Sequence, residues 1–172
     1  MESLFVSLIS VALVIVATVT MTMSLFTSTV NVTDSWTKIE ARSELMLHTS
    51  IHASPPGSYN GGAIQLMVDN NGEVNLANFD KWDVIVEYQS GQINYLTHTT
   101  NPDLGPNEWT VAGICLTTNT SMPEVFDIGI LNSWETAKIV LNVDPGLGLG
   151  ESARFTVSTD NGVTSQCIVT SD

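Results

Sequence analysis

The first stretch of the chain, Ser3 to Thr33, is apolar or hydroxyl-bearing apart from Asn31 and contains no charged residue. It is longer than the ~20 apolar residues that a helix needs to cross a bilayer. As a helix rising about 1.5 Å per residue it would be roughly 46 Å long. Its many β-branched residues are stiff and less favourable for a helix in water. In apolar surroundings the need to satisfy the backbone overrides that preference. The pattern therefore predicts one long helix that requires an apolar environment.

The helical pattern continues beyond the apolar stretch. Spacings of 4, 3, 4 and 3 separate a set of apolar and small residues, and charged residues occupy the positions between them. This set is Val32, Trp36, Ile39, Ser43 and Met46. We expect the helix to reach about Glu44, and Leu45 to Ala53 to begin an extended segment. Pro55-Pro56-Gly57 is a clear break. The predicted organisation is a helical region at 1–47 and a globular domain at 48–172.

The globular part alternates short apolar runs with turns rich in Gly, Asn, Asp and Pro. Ser90-Gly91 predicts one tight hairpin and Asp160-Asn161-Gly162 predicts a second. No long amphipathic helix separates the runs, so a parallel α/β sheet is not expected. The chain is predicted to be α+β, with an antiparallel β-sandwich of immunoglobulin type after the helix. The predicted strands are Leu45–Ala53, Ala63–Asp69, Trp82–Gln89, Gln92–Thr99, Trp109–Thr117, Ala137–Val143, Ser152–Thr159 and Gly162–Thr170.

A stripe of small residues follows the apolar helix at spacings of 4, 3, 7 and 7. Such stripes let helix backbones approach closely where lipid supplies no hydrophobic drive. Serine and alanine are also common in membrane helices, so the stripe has a second reading as ordinary membrane-helix composition. Its members are Ser3, Ser7, Ser10, Ala17 and Ser24.

The formal charge is −13, from 18 acidic and 5 basic residues. An acidic surface repels phosphate backbones, so a nucleic-acid partner is not expected. No basic residue precedes Lys38, which fits neither a secretory signal nor a standard cytoplasmic anchor flank. Asp34, Lys38 and Arg42 lie on the far side of the apolar stretch instead. Either the topology signal lies elsewhere, or a basic leader has been removed and Met1 is the mature start.

Two cysteines and two sequons are candidates for modification. Cys115 and Cys167 lie in apolar, strand-like contexts, and either a disulfide or two buried free thiols fits them. Asn31 and Asn119 each begin an Asn-X-Ser/Thr triplet, so both are candidate N-glycosylation sites in an exported protein.

The chain offers little catalytic or metal-binding chemistry. His48 and His52 are four apart but have no evident third ligand, so a surface pair is favoured. The segment from Asp69 to Glu73 lacks the register of a calcium loop and predicts an Asx turn. No nucleophile elbow, Walker loop, Cys-X-X-Cys pair or dinucleotide fingerprint is present. We therefore expect neither an enzyme nor a resident metal or cofactor.

Two segments of the globular part resemble archaellins, the archaeal flagellins. One is Val68-Asp69-Asn70-Asn71-Gly72-Glu73-Val74-Asn75-Leu76, followed by Phe79-Asp80-Lys81-Trp82-Asp83-Val84-Ile85-Val86. This is similar to the "N-x-G … L … F … D-V-x-V" pattern of archaellins and of the related stator-like archaellum proteins. The other is the strand entry from Pro145 to Val157, which resembles a late "P-G-E" motif with inserted glycines. An uncharged helix running into a small acidic sandwich completes the resemblance.

The resemblance implies a structural filament subunit for motility or adhesion. It implies a membrane location before assembly, removal of a leader by a dedicated peptidase, and polymerisation with copies of itself, driven by a basal motor. The helix would form the filament core and the acidic sandwich its outside, in an extracellular archaellum or pilus. One alternative is a membrane-anchored stator-like protein that binds a surface-layer partner; a membrane-anchored binding domain is another. The residues expected to carry polymerisation are Ser3, Leu4, Ser7, Ser10, Val14, Ala17, Met21, Ser24 and Phe26.

Overall fold

The computed structural model describes residues 2–55, 63–117, 119–124 and 126–171. The chain separates into two compact units, Met1–Ser43 and Glu44–Asp172. The first consists of most of one α-helix, α1, which runs from Glu2 to His48. The second contains the last turn of α1 and all of the strands.

Helix α1 is longer than predicted. Leu45 to His48, expected to begin a strand, form its last turn. The Thr49 hydroxyl donates to the Leu45 carbonyl at 2.7 Å, and the Thr49 amide donates to Met46 at 3.2 Å, which closes the helix end. A strand begins two residues later, at Ile51. Pro56 and Gly57 of the predicted break lie outside the described residues.

The described residues of the second unit form nine strands in one sheet. Their order is β1-β2-β7-β5-β4-β3-β8-β9, and β6 pairs with β5 off this path. The Ala53 amide on β1 donates to the Ser165 hydroxyl on β9 at 2.9 Å, so the two ends of the path meet in a nearly closed, barrel-like sandwich. The strands are β1 Ile51–Ser54, β2 Ile64–Asn70, β3 Asp83–Tyr88, β4 Ile93–His98, β5 Glu108–Leu116, β6 Asn119–Pro123, β7 Glu135–Asn142, β8 Ser152–Ser158 and β9 Thr164–Thr170.

The sheet is mixed and not purely antiparallel as predicted. Strands β4 and β5 run parallel over two residue pairs, Thr97 with Glu108 and His98 with Trp109. The other described strand pairs are antiparallel. The parallel step is short because β4 ends where β5 begins, so the strands overlap only at the junction. The predicted helix-plus-sandwich class is confirmed, and the immunoglobulin-type antiparallel pairing is corrected.

Both predicted hairpins are present. In the first, between β3 and β4, the Tyr88 amide donates to Gln92 and the Gly91 amide donates back to Tyr88, each at 2.9 Å. Gly91 has a φ of 84°, which a residue without Cβ adopts at little cost. In the second, the Gly162 amide donates to Thr159 at 2.9 Å and Gly162 has a φ of 92°. Turn chemistry thus sets both registers.

The core lies inside the sandwich, and the described residues that form it all belong to the second unit. Strand β2 alternates buried and half-buried positions, as its period of two requires. The largest fully buried side chains include Trp109, Phe155, Ile64 and Leu66. Burial of this apolar surface supplies the main favourable term of folding for this unit.

The candidate disulfide is not formed. Cys115 on β5 and Cys167 on β9 are buried free thiols. They occupy strands separated in the sheet order by β4, β3 and β8. Desolvation raises the pKa of the Cys167 thiol to about 11, and desolvation also raises the pKa of Cys115. The sequence fitted either a disulfide or two buried free thiols, and the structure contains the two buried free thiols.

Candidate functional site

The most unusual feature is the helix itself, because its apolar side chains are uncovered. Leu4 is 75% exposed and Phe26 is 72% exposed. Within the described residues, α1 is the one helix long and apolar enough to cross a membrane, and no part of its apolar window is buried. An exposed apolar surface of this size marks an interaction with a membrane or with other proteins.

Most of the hydroxyl groups on the described part of the helix do not oppose burial of this surface, because they are satisfied by backbone carbonyls of the helix itself. The Thr18 hydroxyl donates to the Val14 carbonyl at 2.7 Å, four residues earlier. Such bonds leave no unpaired donor when the helix enters apolar surroundings. The same type of bond is made by Ser10, Thr20, Thr22, Thr27, Thr29, Thr33, Ser35 and Thr37.

The predicted packing stripe falls on one face of the helix. Spacings of 3, 4 and 7 are close to whole turns of 3.6 residues, so the five small residues share a side of α1. By the same period, Val14 and Met21 lie on that side and Leu4 and Phe26 lie on the adjoining one. These side chains are exposed in the structure. Their role in polymerisation stays a prediction.

The two sequons lie in different elements. Asn31 is in α1 and is exposed, while the Thr33 hydroxyl of its triplet donates to the Thr29 carbonyl at 3.0 Å. Asn119 begins β6, and its side chain lies outside the described residues. Glycosylation of either asparagine stays a prediction.

The last turn of α1 is held to the sandwich by a turn at residues 70–73. The Glu73 amide donates to the His48 carbonyl at 2.9 Å, and the Asn71 amide donates to Ser50 at 2.8 Å. The side chains of His48 and Glu73 also meet, with His48 Nδ1 and Glu73 Oε2 2.9 Å apart. A Cβ added to Gly72 would lie 2.5 Å from the Ser50 nitrogen, so this approach requires glycine.

The 70–73 turn is the Asx turn that the sequence predicts. The buried Asn70 side chain accepts from the Gly72 amide at 3.0 Å and donates to the carbonyls of Val74 and Leu131. His48 and His52, the other pair considered as ligands, lie on different elements, α1 and β1. Among the described residues, no group of three or more His, Cys, Asp or Glu is placed to hold a metal ion.

A second exposed apolar surface lies at the same end of the sandwich and was not predicted. We call it the loop patch, and its members lie on β5, β6 and the connection to β7. The Trp134 amide donates to the Asn70 carbonyl at 2.8 Å, and the Ser133 hydroxyl donates to Gly72 at 2.6 Å. The 70–73 turn therefore contacts both the loop patch and the last turn of α1. The loop patch consists of Leu116, Met122, Phe126, Ile128 and Trp134.

Three carboxyl groups accompany the loop patch: Glu124, Asp127 and Glu135. One Glu124 oxygen, Oε2, is buried without a hydrogen-bond partner among the described residues. Desolvation, followed by the nearby Glu135 and Asp127 charges, raises the pKa of Glu124. Glu135 is itself buried and accepts from the Asn132 amide at 2.7 Å. The loop patch thus combines apolar side chains with neighbouring acidic groups.

Two adjoining grooves lie on the sandwich, lined by described residues. A groove of about 320 Å³ is lined by residues of β3, β8 and β9, and an adjoining one of about 220 Å³ includes Tyr88 and Glu151. The charged groups in the larger groove, Arg154 and Glu87, pair with each other at 3.1 Å. The Tyr88 hydroxyl donates to the Pro145 carbonyl at 2.6 Å.

Comparison with solved structures identifies the fold as archaellin-like. The chain is similar to the protein in the archaeal flagellum of Methanospirillum hungatei strain JF1, with a TM-score of 0.53 and 12% identity over 98% of this chain and 93% of that one. It is similar to archaeal flagellin FlaB1 from Methanocaldococcus jannaschii, with a TM-score of 0.52 and 12% identity over 72% and 90%. It is also similar to the archaellum periplasmic stator protein FlaG from Sulfolobus acidocaldarius, with a TM-score of 0.52 and 17% identity over 70% and 98%. No family model matches the chain, and no curated protein sequence matches it.

Proposed function

We propose that this chain is a structural subunit of an archaellum-like extracellular filament and that it polymerises through α1. The observation that carries the proposal is the uncovered apolar helix, of which no part of the apolar window is buried. The archaellin-like fold supports it, and the similarity to the filament protein of M. hungatei covers 98% of this chain. That extent of similarity includes the helix as well as the sandwich.

The distribution of exposed apolar residues favours copies of the chain over lipid as the final surroundings of α1. The apolar stretch is about 46 Å long, whereas the hydrocarbon core of a bilayer is about 30 Å thick. Trp36 is 67% exposed and Ile39 is 61% exposed, although both follow the charged Asp34. A single spanning helix would leave these residues in water, whereas a bundle of helices covers them.

The mechanism follows from this surface. Before assembly the uncharged stretch Ser3–Thr33 lies in the membrane, where its internally bonded hydroxyls cost little. On assembly it leaves the bilayer and packs against other copies, with the small-residue face allowing close approach. Repetition of the same contact by a helical operator produces an open polymer. The acidic sandwich, residues 48–172, then coats the outside of the filament.

The remaining parts of the proposal rest on the archaellin resemblance. They are export to the cell surface, removal of a leader by a peptidase, and assembly by a basal motor. The structural components found as similar proteins are not enzymes, and we propose a structural role without catalysis. The filament would serve motility or adhesion.

The test is to shear surface appendages from the source cells and to determine the N-terminal sequence of the major protein. We expect this chain as the main component of the sheared fraction. Its recovery at low copy number from membranes alone would contradict the filament proposal.

A stator-like role is the second candidate, because the similarity to FlaG covers 98% of that protein at a TM-score of 0.52. In this role the helix would stay in the membrane and the sandwich would bind a surface-layer partner. Copy number separates the two functions. A filament subunit must be present in large excess over basal-body proteins, whereas a stator protein is needed in similar amounts to them.

A further inference from the structure

We propose that the loop patch of one copy binds the Trp36–Ser43 segment of α1 in a second copy, with Asp127 facing Arg42. This inference rests on the proposed filament function and extends it by assigning an interface outside the apolar stretch. It pairs two surfaces of the same chain that are both exposed and of opposite charge.

The loop patch has the properties of a protein-binding surface. Phe126 is 82% exposed, Ile128 is 84% exposed and Trp134 is 69% exposed. Large aromatic and aliphatic side chains of this kind are the usual anchors of interfaces. Asp127 has a φ of 55° and its carbonyl accepts from the Ile130 amide at 3.0 Å, so a defined turn presents these residues.

The acidic groups of the loop patch favour a cationic partner. Glu124, Asp127 and Glu135 lie close enough for their charges to raise the pKa of Glu124. Among the described residues no basic side chain forms an ion pair with any of the three. A cation brought by another molecule would relieve this repulsion.

The Trp36–Ser43 segment supplies such a cation next to apolar side chains. Lys38 and Arg42 are four apart and share one face of α1, and Ile39 lies on the adjoining side. Trp36 lies farther round the helix, next to Glu40. Lys38 is paired with Asp34 at 2.8 Å, whereas Arg42 forms no ion pair within the described residues. Glu40 and Glu44 fall on the opposite side of the helix by the same period.

A second copy explains both surfaces better than a lipid surface does. The membrane surfaces available to an anchored protein are commonly anionic and repel three clustered carboxylates. The chain carries 5 basic residues against 18 acidic ones, so an unpaired arginine is scarce in it. In a polymer every copy offers one loop patch and one Arg42, and the stoichiometry of the contact is satisfied automatically.

The test uses the full chain and compares filament formation in charge variants. Arg42→Asp should raise the critical concentration for polymerisation about tenfold or more, because two acidic groups then face each other. Asp127→Arg should do the same by placing two basic groups together. The double variant, Arg42→Asp with Asp127→Arg, should restore polymerisation to near the original level.

The matched control is Asp103→Arg. It makes the same charge change in an exposed loop between β4 and β5, at the opposite end of β5 from Leu116. We expect this variant to polymerise as the unchanged chain does. Thermal melting of each variant verifies that the sandwich is folded.

The outcomes separate this inference from the proposed function. Filaments from the unchanged chain with no effect of Arg42→Asp or Asp127→Arg would overturn the interface and leave the filament function standing. Loss of polymerisation in both single variants, without its recovery in the double variant, would also overturn the pairing of Asp127 with Arg42. Absence of filaments from the unchanged chain would overturn both proposals, and recovery in the double variant would support both.

Discussion

At the scale of single residues, Gly72 allows the backbone of the 70–73 turn to pack closely against the C-terminal end of α1. Its Cα lies so close to the Ser50 nitrogen and the His48 carbonyl that a Cβ would be 2.5 Å and 2.6 Å from them. Both neighbours are backbone atoms, which cannot rotate away as a side chain does. The hydrogen bond from the Glu73 amide to the His48 carbonyl requires the same close approach.

Gly72→Ala is therefore expected to destabilise the second unit by about 2 kcal/mol or more. Urea unfolding of a 44–172 fragment, followed by tryptophan fluorescence, measures this change. Gly113→Ala is the matched control, because a Cβ there meets nothing within 4 Å. Equal unfolding midpoints for the two variants would contradict the argument from close approach.

The two buried thiols give a prediction about pH. The pKa of Cys167 is raised to about 11 from an ordinary value near 9.0, because burial disfavours the thiolate. A group whose pKa is higher in the folded state stabilises folding below its unfolded pKa. This contribution should be complete at pH 8 and lost as the pH rises from about 9 to about 11.

A thiol reagent measures the state of both cysteines. At pH 8 the native chain should react with a disulfide-exchange reagent far more slowly than the urea-unfolded chain, in which two thiols should titrate without prior reduction. Zero free thiols in urea would mean that a disulfide joins Cys115 and Cys167 and would overturn the free-thiol assignment. Cys167→Ser should reduce the count to one.

At the scale of elements, most of the secondary structure follows from short-range patterns. The uncharged stretch predicted α1, and alternation together with turn residues predicted β2, β3, β4, β5, β7, β8 and β9. Strand β6 was missed because Asn119 to Pro123 is polar and ends in proline, so that neither alternation nor apolarity marks it. It forms as an edge strand because β5 offers hydrogen-bonding groups beside it.

Two other features depend on contacts between distant residues. Leu45 to His48 have a sequence that suits a strand or a helix, and the Thr49 bonds and the 70–73 turn decide for the helix. The parallel pairing of β4 with β5 depends on the order of the strands in the sheet, which short-range patterns do not determine.

The loop patch could not be recognised as a surface, because isoleucine, phenylalanine and tryptophan in a sequence usually indicate burial. Their exposure is known only once the surrounding strands are placed.

The helix gives a prediction at this scale. A charge placed within its small-residue face, as in Ala17→Glu, should abolish polymerisation, since a buried unpaired carboxylate costs several kcal/mol. The second unit should stay folded, because α1 residues before Glu44 belong to a separate compact unit. Electron microscopy of filaments and thermal melting measure the two effects.

Ser10→Ala is the control for that experiment. It removes the bond from the Ser10 hydroxyl to the Val6 carbonyl at 2.9 Å but introduces no charge. We expect this variant to form filaments normally. Normal filaments from Ala17→Glu as well would show that the face is not a packing surface.

At the scale of the whole molecule, the two units satisfy different requirements. Among the residues that the structure describes, the buried core runs from Ile51 to Val169 in the second unit, and none of its members lies in α1 before Glu44. The first unit has the apolar character of a core, and its described apolar side chains are exposed. Folding of the sandwich and burial of the helix are therefore separate events with separate driving surfaces.

This separation predicts that a fragment of residues 44–172 folds alone as a soluble monomer. Light scattering after size-exclusion chromatography should give the mass of one fragment, and thermal unfolding should be cooperative. The full chain should instead require detergent or assemble. An unfolded or aggregated fragment would show that the sandwich depends on the helix.

A second fragment, residues 50–172, tests the role of the last helical turn. It lacks the His48 carbonyl that accepts from Glu73 and the Thr49 hydroxyl that accepts from the Asn161 side chain at 2.6 Å. Thr49 is buried, so its loss also uncovers the groups around it. We expect this fragment to be less stable than 44–172 by about 1–3 kcal/mol, as for buried polar groups left without partners. Equal stabilities would mean that the turn at 70–73 positions the helix without stabilising the sandwich. A loss of this size would mean that the contacts of the last helical turn stabilise the sandwich. The same contacts would then fix where α1 ends and the sandwich begins.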